Sequence, residues 1–149
     1  MIETLTIGSL KWRHVTNPAD EDFKFLREKF HFHPLDIEDC KSVNQRPKID
    51  IYDDYYFLIL QYPNFDRQNK FIKTKEVKFF WGKDYIITIE KSPWYVSQLF
   101  NEYQERDMEE LEKNLKTSDI LLYRIFEKLM MESLYLLKKV GLDLELINR

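Results

Sequence analysis

The stretch from His33 to Tyr62 constrains the fold most, because its hydrophobic pattern changes period within thirty residues. Pro34 suits the first position of a helix, where its missing N–H has no helical partner, and three carboxylates follow where the helix dipole favours them. After Pro47 the pattern alternates, and from Tyr55 it becomes a nearly continuous apolar run. These patterns are typical of a half-exposed strand and of a strand buried on both faces. The stretch therefore predicts a short helix, a turn, and two strands that meet at Asp53-Asp54.

Turn and capping signals divide the rest of the chain. Before the central stretch we predict a hairpin over 2–16, with its turn at Gly8-Ser9, and a helix opened by Asn17-Pro18. After it we predict a turn at 63–66, two strands joined by Gly82-Lys83-Asp84, a helix opened by Ser92-Pro93, and a last helix from Thr117-Ser118-Asp119. The charged segment over 106–116 either extends the helix that begins at Ser92-Pro93 or connects it to the last helix.

The last helix carries two adjacent apolar stripes at helical spacing. At 1.5 Å per residue it would be roughly 45–50 Å long, which is more than one sheet needs for cover. We therefore expect it either to associate with other helices or to belong to a longer protein. The stripes are Leu122, Phe126, Leu129, Ser133, Leu136 and Val140, and beside them Tyr123, Met130, Leu134, Leu137 and Leu144.

Hairpins imply antiparallel neighbours, and helices that intervene between strands imply layers. We therefore predict an α+β fold, an αβα sandwich whose mixed, largely antiparallel sheet has helices on both faces and a long C-terminal helix. Residues 1–116 would form the sandwich domain and residues 117–149 the long helix.

Composition narrows the class of protein. With 149 residues and a net charge of −3, the chain fits one domain and has no basic footprint for nucleic acid. Its single cysteine excludes an internal disulfide. No signal-peptide pattern begins the chain, and no apolar run reaches the ~20 residues of a membrane span. We expect a soluble, cytosolic chain.

Catalytic motifs are absent from the sequence. Three glycines leave no phosphate-binding loop, and the two-residue spacing of His31 and His33 does not suit zinc. A Ser/His/Asp triad stays open, but no nucleophile elbow indicates one. An enzyme is therefore not favoured.

Several carboxylates could bind a hard cation. Asp36 and Asp39 share a helix face and could hold Mg²⁺ or Ca²⁺, but a capped helix N-terminus paired with Lys41 or Arg46 is the simpler interpretation. Asp53-Asp54 and Asp66 are most simply turn residues. Glu127 and Glu132 on the last helix are most simply part of a solvated face.

The motif His33-Pro34-Leu35, with Glu38-Asp39 and then Gln45-Arg46-Pro47-Lys48 before the tyrosine-rich strand, resembles the cytoplasmic N-terminal domain of the CorA family of divalent-cation transporters. The remaining elements follow the family's order, including Asp119-Ile120-Leu121-Leu122-Tyr123 at the start of the long helix. The resemblance implies an αβα sandwich followed by helices that lead to a stalk and two membrane spans.

The resemblance also implies a function. Family members are homopentamers with an axial pore, and cytosolic carboxylates bind Mg²⁺ between neighbouring subunits. Asp66 matches the acidic interface residue after the buried strand, whose partner carboxylate lies beyond Arg149, and Glu127 and Glu132 fall where the family carries further acidic positions. The expected role is a Mg²⁺-sensing (also Co²⁺-responsive) regulatory domain at the cytoplasmic face of the cell membrane.

This chain would not transport ions itself, because the spans and the Gly-Met-Asn signature of the family lie outside its sequence. The alternative is a stand-alone soluble protein-interaction module of the same fold, which would pair with another protein through its last helix.

Overall fold

A computed structural model describes residues 1–43 and 45–147 of the chain. These residues form six β-strands and five α-helices in the order β1 Ile2–Ile7, β2 Leu10–Thr16, α1 Asp20–Phe30, α2 Pro34–Lys41, β3 Lys48–Ile51, β4 Tyr56–Asp66, β5 Phe71–Trp81, β6 Tyr85–Glu90, α3 Tyr95–Gln104, α4 Met108–Asn114 and α5 Ser118–Ile147.

The strands form one sheet in the order β1-β2-β6-β5-β4-β3. Every neighbouring pair is antiparallel except β2 and β6, which run parallel with Trp12 opposite Ile86 and His14 opposite Thr88. The predicted mixed, largely antiparallel sheet is confirmed. The single parallel pair brings the N-terminal hairpin beside a strand that lies about 75 residues later in the chain.

Helices cover both faces of the sheet, as predicted. On one face α1 and α2 pack Phe23, Leu26 and Ile37 against Phe57 and Phe80. The other core, beneath α3, α4 and α5, contains the residues Trp12, Phe79, Phe100, Leu111, Leu121 and Ile125, all buried. Two cores on one sheet define the αβα sandwich.

Strands β4 and β5 extend past the sheet as a two-stranded ribbon. β4 pairs with β3 only from Tyr56 to Ile59, and β5 pairs with β6 only from Lys78 onward, yet β4 and β5 pair along their whole lengths. The predicted turn at 63–66 is wrong, because the chain reverses at 67–70. Pro63 is tolerated within β4 because that part of the strand is an edge, where an N–H is not required on both sides.

Two predicted helix starts are also wrong. The helix predicted to open at Asn17-Pro18 begins at Asp20 instead, and Asn17 has a left-handed backbone with φ 45°. The carboxylate of Asp22 accepts the Ala19 N–H at 2.9 Å and so caps the helix at Ala19. α3 begins at Tyr95, two residues after the predicted Ser92-Pro93 start, because a carboxylate from β6 binds its first amides.

The charged segment over 106–116 contains a separate helix, α4. The Asp107 carboxylate accepts the N–H of Glu109 at 3.2 Å and begins the helix. Leu111 and Leu115 are buried in the core, which explains why this segment does not simply continue α3.

The buried face of α5 contains Leu121, Leu122, Ile125 and Leu129, so the first predicted stripe is confirmed only at Leu122 and Leu129, whereas the second stripe is exposed. Leu129, from the first stripe, is 2% exposed, whereas its neighbour Met130, from the second, is 56% exposed. Ile49 and Ile51 on β3 are exposed as well, because they lie on the α5 side of the sheet beyond the area that helix covers. Helix α5 packs onto the same core as α3 and α4. The division of the chain into two domains at residue 116 stays a prediction.

Candidate functional site

Asp66 is the last residue of β4 and lies at the end of the ribbon. Its Oδ1 accepts the N–H of Gln68 at 3.0 Å, and its Oδ2 accepts the side-chain amide of Asn69 at 2.9 Å. The ammonium of Lys73 lies 2.9 Å from Oδ2. The hydrogen bonds from Lys73 and Asn69 hold the pKa of Asp66 well below its usual range, so the carboxylate is ionised at neutral pH.

Glu127 and Glu132 line one cleft of about 590 Å³ between α3, α4 and α5. The cleft is rich in charge of both signs, because Glu102, Arg106 and Glu110 also line it. Glu127 accepts a hydrogen bond from Arg124 at 3.2 Å, and Glu132 accepts one from Lys128 at 2.9 Å. Both predicted carboxylates therefore have a cation on their own helix.

The structure brings Glu127 and Glu132 together but leaves Asp66 on the ribbon, outside this cleft. Within residues 1–43 and 45–147, no three His, Cys, Asp or Glu side chains are grouped closely enough to hold a metal ion. Hard cations bind through carboxylate oxygens, so these residues have the correct chemistry. Each of them already lies beside an ammonium or guanidinium of the same chain, which would compete with a bound cation.

Asp36 and Asp39, the carboxylates first considered at the N-terminus of α2, have separate partners. Asp36 is buried and its Oδ2 accepts the hydroxyl of Tyr55 at 2.9 Å. Asp39 pairs with Lys48 of β3 at 2.5 Å. The predicted pairing with Lys41 or Arg46 is wrong for Asp39, because the strand that follows the turn supplies a nearer cation.

A buried polar network joins β2, β6 and α3. The ring of His14 is within 2.7 Å of the hydroxyls of both Thr88 and Ser97, and the indole N–H of Trp12 donates to Thr88 at 2.9 Å. Glu90 is within 3.2 Å of the same ring. All of these residues are buried. No local sequence pattern indicates this network, because only the parallel pairing of β2 with β6 brings its members together.

Glu90 provides the negative charge of the network and caps α3. Its carboxylate accepts the N–H of Val96 at 3.1 Å, and the N–H and hydroxyl of Ser97 at 3.0 and 2.7 Å. Burial alone would raise its pKa, but the hydrogen bonds from His14 and Ser97 outweigh burial and leave the pKa of Glu90 below its ordinary value. An ionised carboxylate at a helix N-terminus is also favoured by the dipole.

Ser97 is not placed as the serine of a hydrolytic triad. Ser97 and Glu90 both approach Nε2 of His14, whereas Nδ1 contacts Thr88. In a triad the carboxylate accepts from the ring nitrogen opposite the serine and orients the imidazole, which takes the proton of the serine hydroxyl. The arrangement supports a structural role in fixing α3 to the sheet.

Lys78 is a second buried charge, and no local sequence pattern indicates it. Its ammonium donates to the carbonyl of Ser42 at 2.8 Å, just past the end of α2, and lies 3.5 Å from Glu76. It lies at the wall of a cleft of about 720 Å³ between the two N-terminal helices and the base of the ribbon. A cation at a helix C-terminus satisfies carbonyls that have no partner within the helix.

The fold matches the solved structures of a CorA soluble domain and of a ZntB cytoplasmic domain. The soluble domain of CorA from Methanocaldococcus jannaschii superposes with a TM-score of 0.79 at 18% identity, over 94% of this chain and 54% of that one. The ZntB cytoplasmic domain from Vibrio parahaemolyticus superposes with a TM-score of 0.64 at 18% identity, over 88% and 51%. At such identities the match establishes the fold alone, and that fold is the one the CorA soluble domain has.

The family model for CorA-like Mg²⁺ transporter proteins matches residues 8–149. The chain therefore belongs to the CorA-like Mg²⁺ transporter family, as its motif from His33 to Lys48 predicted. YfjQ of Bacillus subtilis is 40% identical over 77 residues, which are 52% of this chain and 23% of YfjQ. The cobalt/magnesium transport protein CorA of Thermotoga maritima is 25% identical over 141 residues, 92% of this chain and 39% of that protein.

The chain thus spans well under half the length of these two relatives. Across the part of the chain that the structure describes, none of the helices combines the length and the apolar character needed to cross a bilayer.

Proposed function

We propose that this chain is the Mg²⁺-sensing regulatory domain of a divalent metal ion transporter, located at the cytoplasmic face of the cell membrane. The observation that carries the proposal is the family match over residues 8–149 combined with Asp66 at the end of the protruding ribbon. The transported ion would be Mg²⁺, with Co²⁺ as a further candidate, and the membrane spans would lie outside this sequence.

In this proposal copies of the chain assemble into a homopentamer, and Mg²⁺ binds between them. An ion at Asp66 would be shared with a carboxylate of a neighbouring subunit and would take the place of Lys73, which lies 2.9 Å from Asp66. Glu127 and Glu132 would contribute to a second cation site in the cleft that they line. A ligand shifts a conformational equilibrium only by binding one state more tightly, and a shared ion does so for the closed assembly.

Competition with Lys73, Arg124 and Lys128 is compatible with weak binding. Sensing requires a site that empties at low cytosolic Mg²⁺, and sites with few protein oxygens bind hard cations at about 10⁻⁴–10⁻³ M. A carboxylate already paired with a cation of its own chain would bind Mg²⁺ more weakly than a free one.

The test uses the full-length protein, encoded by the whole gene. Limited proteolysis is followed across a Mg²⁺ titration for the native protein, for Asp66→Ala, and for Asp53→Ala as an exposed turn aspartate that serves as the control. We expect Asp66→Ala alone to require more Mg²⁺ for protection. Equal protection of both variants at every Mg²⁺ concentration would remove Asp66 from the sensor.

The isolated 149-residue chain should bind Mg²⁺ weakly or not at all at Asp66, because half of the proposed ligands are supplied by another subunit. Isothermal titration at millimolar Mg²⁺ measures this directly. Tight binding to the monomer would contradict a shared site.

A stand-alone interaction module is the second candidate, and one observation favours it. The second stripe of α5, from Tyr123 to Leu144, is exposed along the helix. Such a face fits a partner helix as well as further helices of the same protein. The gene sequence past Arg149 separates the two candidates, since an acidic helical stalk and two apolar spans support the transporter and an immediate stop codon supports the module.

A further inference from the structure

Strand β3 forms one edge of the sheet, and its outer side is open. It pairs with β4, and among the described strands no other lies beside it. At the turn that follows β3, Tyr52 faces Tyr55 and donates its N–H to the carbonyl of that residue at 3.0 Å. Because hydrogen-bonded pairs alternate along an antiparallel ladder, the even-numbered residues of β3 bond to β4. The N–H and carbonyl groups of Ile49 and Ile51 therefore point away from the sheet.

The side chains beside this edge are apolar and exposed. Ile49 and Ile51 lie on the α5 side of the sheet and are 53% and 69% exposed. On the opposite side, Leu35 of α2 is 67% exposed. It lies one helical turn before Asp39, whose carboxylate binds Lys48, so it occupies the side of α2 nearest β3. Apolar side chains thus flank the open edge on both faces of the sheet.

The features that usually protect a sheet edge are weak on this strand. Native sheets often end in a strand that is twisted away by a bulge or that carries charges toward an incoming strand. The register of β3 with β4 is continuous from Lys48 to Ile51, so no bulge lies between these two residues. The charges of β3, on Lys48 and Asp50, lie on the α2 side and are 3.1 Å apart. The edge keeps free backbone groups and apolar flanks, which are what a further strand requires.

We propose that β3 pairs antiparallel with β3 of a second copy of this chain, with Ile49 opposite the partner's Ile49. A two-fold axis at this residue places Lys48 opposite the partner's Asp50 on both sides of the axis, so the strand is complementary to itself in charge. The outward N–H and carbonyl groups of Ile49 are then satisfied by those of its copy. We call this contact β3 edge pairing. It joins two six-stranded sheets into one continuous sheet.

Charge selects this register over the next one that satisfies the same backbone groups. With the axis at Asp50, Ile49 would lie opposite the partner's Ile51, but Asp50 would lie opposite the partner's Asp50. Like charges directly opposite each other on neighbouring strands destabilise the pairing, whereas opposite charges stabilise it. A shift by one residue more or less would set apolar and charged side chains on the same face.

The proposed contact is small and separate from the proposed Mg²⁺ site. Four residues from each copy make an interface below the usual size of a stable one, so pairing should depend strongly on concentration. Leu58 faces Ile49 across the ladder, and Asp66 lies further along β4 by roughly 26 Å, at about 3.3 Å per residue. Edge pairing is therefore independent of whether Asp66 senses Mg²⁺.

Sedimentation of the 149-residue chain over a concentration series tests the pairing. Ile49→Pro removes an N–H on the open edge but no bond to β4, and proline is tolerated on an edge strand, so this variant should stay monomeric. Ile49→Thr keeps the N–H and the preference for strand, and as the matched control it should still dimerise. Asp50→Asn should weaken the dimer about five-fold, because two cross-strand ion pairs are lost.

Amide exchange gives an independent measurement. The N–H groups of Ile49 and Ile51 should exchange more slowly as the concentration of the native chain rises. The N–H of Tyr52, which is already bonded to Tyr55, should be equally protected at every concentration. If Ile49→Pro fails to fold, Ile49→Lys replaces it, because that substitution keeps the N–H but sets two like charges opposite each other.

Three results would overturn β3 edge pairing. The first is a native chain that stays monomeric across the series. The second is a dimer that survives Ile49→Pro but is lost in Met130→Glu, which would assign the association to α5. The third is a dimer strengthened by Asp50→Asn, since this would indicate the register in which Asp50 opposes its own copy.

Discussion

The hydroxyl of Ser97, in the first turn of α3, donates a 2.7 Å hydrogen bond to Oε1 of Glu90 at the end of β6. Both side chains are buried, and the same carboxylate also accepts the backbone N–H groups of Trp94, Val96 and Ser97. The N–H groups in the first turn of α3 have no acceptor within the helix, and this one carboxylate takes the place of the water that would otherwise accept them. His14 ties this cap to β2 and so to the N-terminal hairpin.

Glu90→Ala should lower the free energy of unfolding by about 3 kcal/mol, because it leaves buried amides, the Ser97 hydroxyl and His14 without their acceptor. Urea denaturation of the 149-residue chain measures the loss. Glu105→Ala, an exposed carboxylate that follows the same helix, is the control and should change stability by no more than about 0.5 kcal/mol. Equal effects of the two substitutions would show that the cap is not important.

Acid should destabilise the native chain in part through Glu90. The pKa of Glu90 is lowered in the folded state, so its contribution is complete above the unfolded value of about 4.3 and is lost as pH falls through the folded pKa. The urea midpoint should therefore decline between pH 5 and pH 3. Glu90→Gln cannot ionise and should show a shallower decline, and identical slopes for both proteins would refute this assignment.

Two adjacent residues of α5 should respond in opposite ways to truncation. Leu129→Ala should cost about 3 kcal/mol because it opens a cavity in the core, whereas Met130→Ala should change stability by less than about 0.5 kcal/mol. Urea denaturation again provides the measurement.

Met130 should instead affect association. If the exposed stripe joins copies of the isolated chain, Met130→Glu should shift sedimentation toward the monomer without lowering stability. A native chain that stays monomeric at high concentration would argue against this stripe as a self-association surface.

If the proposed sensing function is correct and Mg²⁺ displaces Lys73 from Asp66, Lys73→Ala should make the full-length protein more sensitive to Mg²⁺. The concentration that gives half-maximal protection from proteolysis should fall several-fold, since the competing ammonium is removed. Lys70→Ala, an exposed lysine in the turn of the same ribbon, is the matched control. An unchanged or higher half-maximal concentration for Lys73→Ala would contradict the competition.

Local spacing predicted most of the elements, and its errors have specific causes. The strand signals around Asp53-Asp54 and Gly82-Lys83-Asp84 were correct, because turn chemistry and alternation depend on neighbouring residues. The turn at 63–66 was misplaced because a proline is permitted in a ribbon edge that the sequence does not reveal. The start of α3 was misplaced because its cap comes from Glu90 rather than from the local Ser92.

For the candidate cation-binding residues too, the sequence predicted one part and the structure supplied the other. Resemblance identified Asp66, Glu127 and Glu132, and their roles remain predictions. Sequence could not show that Lys73, Arg124 and Lys128 occupy these carboxylates, although the last two lie within one helical turn of their partners. Pairs at three- and four-residue spacing on a helix are common and carry little information about function.

Residues that are close together in the chain were enough to predict the helical and strand periods, the exposed stripe of α5 and the family to which the chain belongs. They could not predict that His14 meets Glu90 and Ser97, that Lys48 pairs with Asp39, or that Leu121 and Ile125 lie on the buried face of α5. These contacts depend on the parallel register of β2 with β6 and on how the helices dock, and burial of apolar surface across the whole molecule selects both.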